Sequence, residues 1–372
     1  MPYETIASHR AMALDSVRND AYTAALSRVI TPDSVVLDLG AGTGVLGLIA
    51  ARLGARRVYL VEPGDIIAVA EEIVAANDLG DRVQCLHKRF EDVALPEPVD
   101  VIVSVMTGNF LLTEDLLPVL FHARDTVLKP GGRLVPDAAL MEAALVSAPD
   151  VHAMHIAGWS NATHGVDLSA ARAYAANHVY FGPTLLRDAT FLSQPAAVLA
   201  LDLGSCGYDA LHAQVDFEAT QTGECHGIAG WFNLRLGETW LSTSPRSPQT
   251  HWSPAFLPID PPLPLESGDR ISLTLDRAPA GDWTWRIRSP RGSRRHSTLL
   301  GTPLVPGKLE KASRNYVPNA TEALSATAFV LASVDGVSDV TSVAHRLHTT
   351  FPSRYATEED ALEFVQRVVG QF

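Results

Sequence analysis

The sequence predicts an α/β domain with a parallel sheet, then an antiparallel β-barrel or β-sandwich, then a small helical region. Three observations indicate this. Before about residue 138, continuous apolar strands alternate with amphipathic helices, which is typical of a parallel sheet covered on both faces. Over residues 139 to 305, short strands of alternating polarity are separated by Gly and Pro turns. After residue 318, apolar residues recur at helical spacing.

In the first region (residues 1–138), the chain opens with helical periodicity over residues 5 to 30, which Pro32 ends. The strand VVLDLG, the helix VLGLIAARLG, the strand VYLVEP and the helix IIAVAEEIVAAN follow. The alternation continues with VQCLHK, VDVIVSV, a helix near EDLLPVLFHARDTVL and a turn at KPGG.

The second region (residues 139–305) predicts strands at HAQVDFEA, GIAGWFNLRL, RISLTLDR and DWTWRIRS, with a helical excursion over residues 158 to 190. A linker rich in Pro, Gly and Lys spans about 301 to 318. The third region (residues 318–372) predicts three short helices whose core faces are Leu324, Ala328 and Leu331, then Val343 and Leu347, then Leu362, Val365 and Val369.

Composition restricts the partners and the compartment. The chain has 372 residues and a formal charge of -13, so it has no general attraction for nucleic acid or anionic membrane, although a local basic patch is compatible with this. Cys85, Cys206 and Cys225 lack metal-ligand spacing and cannot all pair, so we interpret them as core thiols in a reducing compartment. We find no targeting signal, membrane span or metal motif, which predicts a cytoplasmic protein.

Two overlapping glycine patterns follow the first strand. Gly42, Gly44 and Gly47 fit the GxGxxG dinucleotide motif, which is weak evidence alone. Asp38 followed by Gly40, Gly42 and Gly44 instead forms a tight GxGxG loop that lets the backbone approach the amino-acid part of S-adenosylmethionine.

Two acids extend the second pattern. Glu62, 18 residues after Gly44, ends the second strand and can accept hydrogen bonds from ribose hydroxyls, and Glu91 follows the third strand where an adenine amine would lie. These residues favour an S-adenosylmethionine site, with a nicotinamide enzyme or an inactive fold as the alternatives.

Three motifs, in order, resemble the protein arginine methyltransferase family. The opening YETIASHRAMALDSVRNDAY resembles its N-terminal cofactor lid, SVMTGNFLLTE its acidic substrate loop, and Thr250, His251 and Trp252 its threonine-histidine-tryptophan loop. The lid positions are Tyr3, His9, Met12, Asp15, Arg18 and Tyr22. The resemblance implies a Rossmann-like domain, a β-barrel and a helical dimerisation arm at about 158 to 190, hence a homodimer acting on a peptide or protein.

The resemblance also implies roles for individual residues. Arg18 would pair with the cofactor's carboxylate, which suits a guanidinium fork. Asp15 and His251 would form a buried pair that holds the lid on the barrel and can pass a proton outward. Val105, Met106 and Trp252 would contact the substrate. A purely structural role is the alternative for His251, Met12 and Tyr22.

The acidic loop departs from the family at its first acid. The family presents two glutamates nine residues apart to one guanidinium; here the second is Glu114 but the first is Val105, and Thr107 replaces a methionine. Losing one charge-assisted hydrogen-bond set typically costs about 1.5 to 3 kcal/mol. Either the acceptor is an amine, imidazole or hydroxyl, or Asp115 or another acid substitutes for the missing glutamate.

We favour a changed acceptor. Methyl transfer requires an aligned lone pair and removal of one proton, so Glu114 alone can position the acceptor and act as the base. A helix-start carboxylate without chemistry is the alternative for Glu114.

Residues 318 to 372 extend beyond the methyltransferase pattern. The turn Asp335-Gly336, the pair Phe351-Pro352 and the amphipathic final helix resemble PqqD-like winged-helix modules, which bind leader peptides of ribosomally made natural products. The resemblance implies a leader added as a strand to a sheet edge. A helical cap is the alternative.

The function predicted from the sequence is methylation of a peptide or protein nitrogen, specifically in a natural-product precursor. An arginine methyltransferase with an altered loop and a non-catalytic scaffold are the alternatives.

Overall fold

The computed structural model describes residues 5–371 and contains two compact units, one ending at Pro303 and the other starting at Leu304. Each has its own buried apolar core. Tyr3, which the sequence assigns to the lid, lies outside the described residues. No helix among the described residues has the length and apolar character needed to cross a membrane.

The first unit begins with alternating helices and strands. The elements are α1 Ile6–Ala13, α2 Ser16–Val29, β1 Val35–Leu39, α3 Val45–Arg52, β2 Arg57–Glu62, α4 Ile67–Ala76, β3 Val83–His87, β4 Val99–Ser104, α5 Leu117–Val127 and β5 Leu128–Val135. The strands pair in parallel in the order β3-β2-β1-β4-β5. The predicted Rossmann-like sheet is confirmed, and its order reverses between β1 and β4, where ligands of such sheets bind.

Local departures from the predicted elements have identifiable causes. The single helical pattern of residues 5 to 30 is two helices, because the Asp15 carboxylate caps α2 by accepting from the Arg18 N–H. Helix α5 starts only at Leu117, after an irregular loop. The predicted KPGG turn is an irregularity inside β5, with Gly131 at φ +79°.

Two antiparallel sheets complete the first unit. Their strands are β6 Ala138–Ser147, β7 Tyr180–Phe181, β8 Thr190–Phe191, β9 Ala196–Asp202, β10 Leu211–Glu218, β11 Gly223–Leu236, β12 Thr239–Ser242, β13 Ala255–Leu265, β14 Arg270–Arg277, β15 Trp283–Ser289 and β16 Gly292–Ser297. One sheet has the order β10-β14-β15-β16, and the other is built on β7-β13-β11-β6-β8. A continuous apolar core runs from the parallel sheet into these sheets, so side chains from both can meet.

The predicted helical excursion at 158 to 190 is mostly irregular. Helix α6, Pro149–His155, precedes it, and within it lie 3₁₀ turns at Ala157–Ser160 and Ser169–Ala171 and the four-residue helix α7, Arg172–Ala175. Turn residues interrupt the helical pattern, as at Gly165 with φ +78° and Asp167, which accepts from the Ser169 N–H.

The second unit is a small helical bundle. It contains α8 Pro306–Ala312, inside the predicted linker, then α9 Glu322–Ala332, α10 Val340–Thr350 and α11 Glu358–Val369. No strand occurs among its described residues, so the wing expected of a winged-helix module is absent from them. They therefore offer no sheet edge to which a leader peptide could add as a strand.

The predicted core faces of the second unit are only partly correct. Val343, Leu347 and Val365 are buried, but Leu324, Ala328, Leu331 and Val369 are exposed. Helix α9 instead buries Ala326 and Val330, because it is apolar nearly all round and its periodicity does not select one face. Leu362 is half-buried.

The three cysteines are free thiols. Cys225 is buried as predicted, whereas Cys85 and Cys206 are only half-buried, which corrects the expectation of three core thiols. Cys85 lies on β3, at the edge of the parallel sheet, and Cys206 lies in the turn after β9, which explains their exposure.

Candidate functional site

The loop after β1 combines three glycines in the left-handed backbone region with a carboxylate at the end of β2. Gly40, Gly42 and Gly44 have φ values of +69°, +54° and +79°, which a residue with a Cβ adopts only with strain. The Gly42 N–H donates to Glu62 Oε2 at 2.9 Å, and the Gly64 N–H donates to the other oxygen at 2.9 Å. A carboxylate has about four lone-pair sites, so Glu62 can still accept from a ligand's hydroxyls.

Two elements cover this loop. A Cβ on Gly40 would lie 2.7 Å from the Met106 sulfur, and one on Gly42 would lie 3.0 Å from a ring nitrogen of His9. Helix α1 and the segment after β4 therefore both approach the loop backbone, and a larger residue at either glycine would displace them.

Asp38 supports the loop from beneath. It is buried on β1, and its carboxylate accepts from the Gly47 N–H at 2.7 Å. Burial raises the pKa of Asp38 to about 7, while the hydrogen bond from Gly47 and the charge of Arg18 act in the opposite direction.

Arg18 places a buried cation beside this loop. Its side chain is almost fully buried, and its guanidinium donates to the Asn19 side-chain oxygen at 3.0 and 2.6 Å. Within residues 5–371 no carboxylate forms an ion pair with it, although Asp15 and Asp38 are near enough to act on it electrostatically. Burial lowers the pKa of Arg18. A buried guanidinium without an ion pair calls for an anionic ligand.

Asp15 and His251 join the N-terminal helices to the loop before β13. One Asp15 oxygen accepts from the His251 backbone N–H at 2.7 Å and from His251 Nδ1 at 2.8 Å. Burial would raise the pKa of Asp15, but the hydrogen bonds from His251 and Arg18 lower it on balance. Burial lowers the pKa of His251 in spite of the hydrogen bond to Asp15. The imidazole is therefore neutral at pH 7, donating through Nδ1.

Trp252 links the barrel to the acidic loop. Its indole N–H donates to the Thr107 carbonyl at 2.9 Å, and its ring lies 4.0 Å from the His251 ring. The indole is buried, and it also lines a cavity of about 180 Å³ with Thr250. These contacts indicate that Trp252 holds the acidic loop in place.

The start of the acidic loop is fixed to the sheet. The Tyr22 hydroxyl donates to the Ser104 carbonyl at 3.0 Å, and the Ser104 hydroxyl donates to the Leu39 carbonyl at 3.2 Å. Val105 is half-buried and packs against the core, and Met106 is half-buried over Gly40. Thr107 is buried, and its hydroxyl has no hydrogen-bond partner among the described residues.

The end of the loop is strained and tightly packed. Phe110, Leu111 and Asp115 all have positive φ, between 50° and 61°. A Cβ on Gly108 would lie 2.8 Å from the Glu114 backbone nitrogen, so the glycine permits the loop to close. Glu114 is exposed. Strain of this kind costs about 1 to 3 kcal/mol per residue and requires anchoring by the surroundings.

The anchor is an ion pair that the sequence did not reveal. Arg277 on β14 donates to Asp115 at 2.7 and 2.5 Å, and the Tyr208 hydroxyl and the Ala280 N–H donate to the same carboxylate. The Arg277 guanidinium lies 5.3 Å from the Trp283 ring centroid. Asp115 is thus engaged by the barrel, which argues against the alternative in which it substitutes for the missing glutamate.

The predicted residues fall into three groups. Arg18, Asp38, the glycines, Glu62 and Met106 meet at the switch point of the sheet; Asp15, His251 and Trp252 join lid, barrel and loop; Glu114 closes the loop. Glu91 lies in the 3₁₀ turn Phe90–Asp92 after β3, with its carboxylate 3.9 Å from Arg89 Nε. No group of His, Cys, Asp and Glu among the described residues could hold a metal ion.

Comparisons with known proteins match this architecture. A family model described as a methyltransferase domain matches residues 36–132, and one described as an arginine methyltransferase oligomerization subdomain matches residues 137–287. Protein arginine N-methyltransferase 6 of Xenopus tropicalis is 33% identical over 291 residues, covering 75% of this chain and 85% of that protein.

Two further matches are a curated protein and a solved structure. An arginine N(omega)-methyltransferase of Streptomyces achromogenes subsp. streptozoticus is 33% identical over 285 residues, covering 75% of this chain and 77% of that protein. The structure of the Trypanosoma brucei PRMT1 enzyme-prozyme complex with AdoHcy aligns with a TM-score of 0.72 at 24% identity, covering 80% of this chain and 99% of that one.

Proposed function

Because this chain belongs to the protein arginine N-methyltransferase family, we propose that it transfers a methyl group from S-adenosylmethionine to a nitrogen of a peptide or protein. The observation that carries the proposal is the buried Arg18 cation beside a loop of left-handed glycines and Glu62.

The described residues fit the cofactor. Arg18 would hold its carboxylate, the backbone of Gly40, Gly42 and Gly44 would approach its amino-acid part, and Glu62 would accept from its ribose hydroxyls. When bound, the cofactor supplies a methyl group on a sulfonium. Glu91 is assigned to the adenine by sequence position only.

The acceptor is an amine or imidazole nitrogen. Val105 provides a half-buried hydrocarbon surface where the family has its first acid, and Glu114 stands at the position of the family's second acid, where it would meet a substrate. A guanidinium has five donors and needs more acceptors than one carboxylate supplies. Glu114 would orient the nitrogen lone pair and receive the proton it releases.

The family itself supports a second candidate. Its members named above are arginine methyltransferases, so an arginine acceptor held by Glu114 alone is the alternative. A non-catalytic scaffold is the third candidate. The presence of Glu62 and Arg18 in the geometry that a cofactor requires argues against it.

The acceptor is tested with three peptides that differ only in a central Lys, His or Arg. We expect mass spectrometry to find methylation of the Lys or His peptide in preference to the Arg peptide. Val105→Glu restores the second acid and should raise the rate on the Arg peptide by about 10-fold to 150-fold while lowering the native activity. Val105→Gln, similar in size but uncharged, is the control.

Preference of the wild type for the Arg peptide would overturn the amine or imidazole proposal in favour of the second candidate. If Val105→Gln raised the rate on the Arg peptide as much as Val105→Glu, the added charge would not be the cause.

The proposal also covers the roles of the domains, the oligomeric state and the compartment. We assign residues 1–138 to cofactor binding, 139–305 to the substrate barrel, and the segment 158–190 to a homodimer contact, as the oligomerization-subdomain match suggests. Sedimentation equilibrium tests the dimer, and a monomer at micromolar concentration would contradict it. Three unpaired cysteines fit a cytoplasmic setting.

Residues 318–372 are proposed to bind the leader of a ribosomally made precursor through helix surfaces, since they offer no sheet edge in their described part. Comparing precursors with and without a leader tests this: an equal KM for both would leave the helical-cap alternative.

A further inference from the structure

One face of the barrel groups four arginines, beside Asp216, Glu218 and Asp276, in a protein of net charge -13. The sheet β10-β14-β15-β16 turns Leu273, Trp285 and Ile287 inward, where they are buried. Because side chains alternate along a strand, the neighbouring residues face outward. The outward residues include four arginines, named here the arginine face: Arg270, Arg286, Arg288 and Arg295.

The strand register brings these arginines together. Arg286 lies directly opposite Arg295, and Arg288 lies opposite Ser272, two residues from Arg270. Like charges directly opposite each other on a sheet are destabilising. The arrangement therefore has an electrostatic cost that a bound anion would remove.

The four guanidinium groups are available. Within residues 5–371 none of them forms a hydrogen bond or an ion pair, and three of the four are exposed, with Arg286 half-buried. The nearby Arg291 differs, because it pairs with Glu266 at 2.5 Å and Asp269 at 3.0 Å. Arg291 is thus neutralised by two ion pairs, whereas the four have none, although Glu218 lies opposite Arg270 in the strand register and Asp216 and Asp276 share the outward face.

We propose that the arginine face docks an Asp- or Glu-rich segment of the polypeptide substrate, away from the methyl-transfer site. Guanidinium groups bind carboxylates through paired hydrogen bonds, and four adjacent ones can engage several acids of one extended segment. The inference rests on the proposed function only in assigning that segment to the substrate.

One feature favours an acidic peptide over nucleic acid. The outward positions of the four strands carry no Phe, Tyr or Trp in the described chain, so bases have no stacking platform. Asp216 and Glu218 line a groove of about 550 Å³ together with Arg270 and Arg288, and they would repel any polyanion. Because these two acids lie on β10, at the opposite edge of the sheet from β16, the acidic segment is expected to contact the arginines of β15 and β16.

The test is direct binding without cofactor or turnover, so it is independent of methyl transfer. A fluorescein-labelled peptide alternating Glu and Gly is titrated with the full chain, and anisotropy is recorded. We expect saturable binding that weakens about tenfold between 50 and 300 mM salt, because screening acts on exposed charges. The double variant Arg286→Glu, Arg295→Glu should bind at least about tenfold more weakly.

Arg82→Glu is the matched control, since Arg82 is also exposed but lies before β3, outside this sheet. It should leave binding unchanged, and tryptophan fluorescence should show that both variants are folded. A peptide without acidic residues should be methylated equally by the wild type and the double variant.

Several results would overturn the inference. These are the absence of saturable binding of the acidic peptide, an equal loss with Arg82→Glu, or tighter binding of a single-stranded oligonucleotide at the same salt. Self-association that the double variant abolishes, without peptide binding, would instead assign the arginine face to a second copy of the chain.

Discussion

Substituting Asp115 by Ala removes the anchor of the acidic loop. The carboxylate of Asp115 accepts two hydrogen bonds from Arg277 and one each from Tyr208 and the Ala280 N–H. The variant would leave the Arg277 guanidinium, in a side chain only 5% exposed, without its counter-charge. The loop would also lose its contact with the barrel next to Glu114.

The expected cost follows from burial. Removing one partner of a buried ion pair costs about 3 to 5 kcal/mol of unfolding free energy. The Asp115 side chain is 24% exposed, so water screens part of the interaction and we expect the lower end, about 3 kcal/mol. Arg277→Met should cost less, about 1 to 2 kcal/mol, because the more exposed carboxylate can be hydrated.

Urea denaturation monitored by tryptophan fluorescence measures these costs, since all six tryptophans lie before Pro303 and report the first unit. Asp125→Ala is the control: Asp125 also pairs with an arginine, but its side chain is 62% exposed, so a change within about 0.5 kcal/mol is expected. An Asp115→Ala cost below about 1 kcal/mol, or an equal cost for Arg277→Met, would refute the anchoring argument.

The remaining predictions address catalysis, pH and the second unit. Glu114→Gln should reduce kcat at least about 100-fold with cofactor affinity unchanged, because general-base contributions are of that order; near-native kcat would remove Glu114 from the mechanism. Burial lowers the pKa of His296 to about 4, so the unfolded chain binds the proton more readily below pH 6.5 and stability falls on acidification. The loss should be about 2 kcal/mol between pH 6.5 and 4.5, and His296→Gln should remove it in urea titrations; an unchanged pH slope would contradict this. Deleting residues 304–372 should leave the tryptophan unfolding transition in place, as the first unit has its own core; a lost transition would show that it depends on the second unit.

Local patterns predicted that the glycine loop and Glu62 would lie together. The glycines after β1 require left-handed backbone, and Glu62 ends the next parallel strand, so strand pairing alone brings the two together. The geometry there follows from neighbouring elements of one sheet.

The anchoring of the acidic loop could not be predicted in this way. Asp115 and Arg277 lie 162 residues apart, and nothing in either local sequence marks them as partners. The predicted buried face of helix α9 was wrong for another reason. Apolar residues lie on most sides of this helix, so the sequence gave no periodicity from which to choose Ala326 over Leu324. The KPGG segment, a turn by composition, is an irregularity inside β5, because the pairing with β4 on either side of it, at Leu128 and from Arg133 onward, keeps it within the strand.

Calorimetric titration of the full chain with S-adenosylmethionine tests the central claim most directly. We predict saturable binding at one site per chain, with an affinity about 10-fold to 150-fold weaker in Arg18→Met, because that variant removes the charge-assisted partner of the cofactor's carboxylate. No saturable binding, or binding of a nicotinamide dinucleotide in its place, would contradict the account.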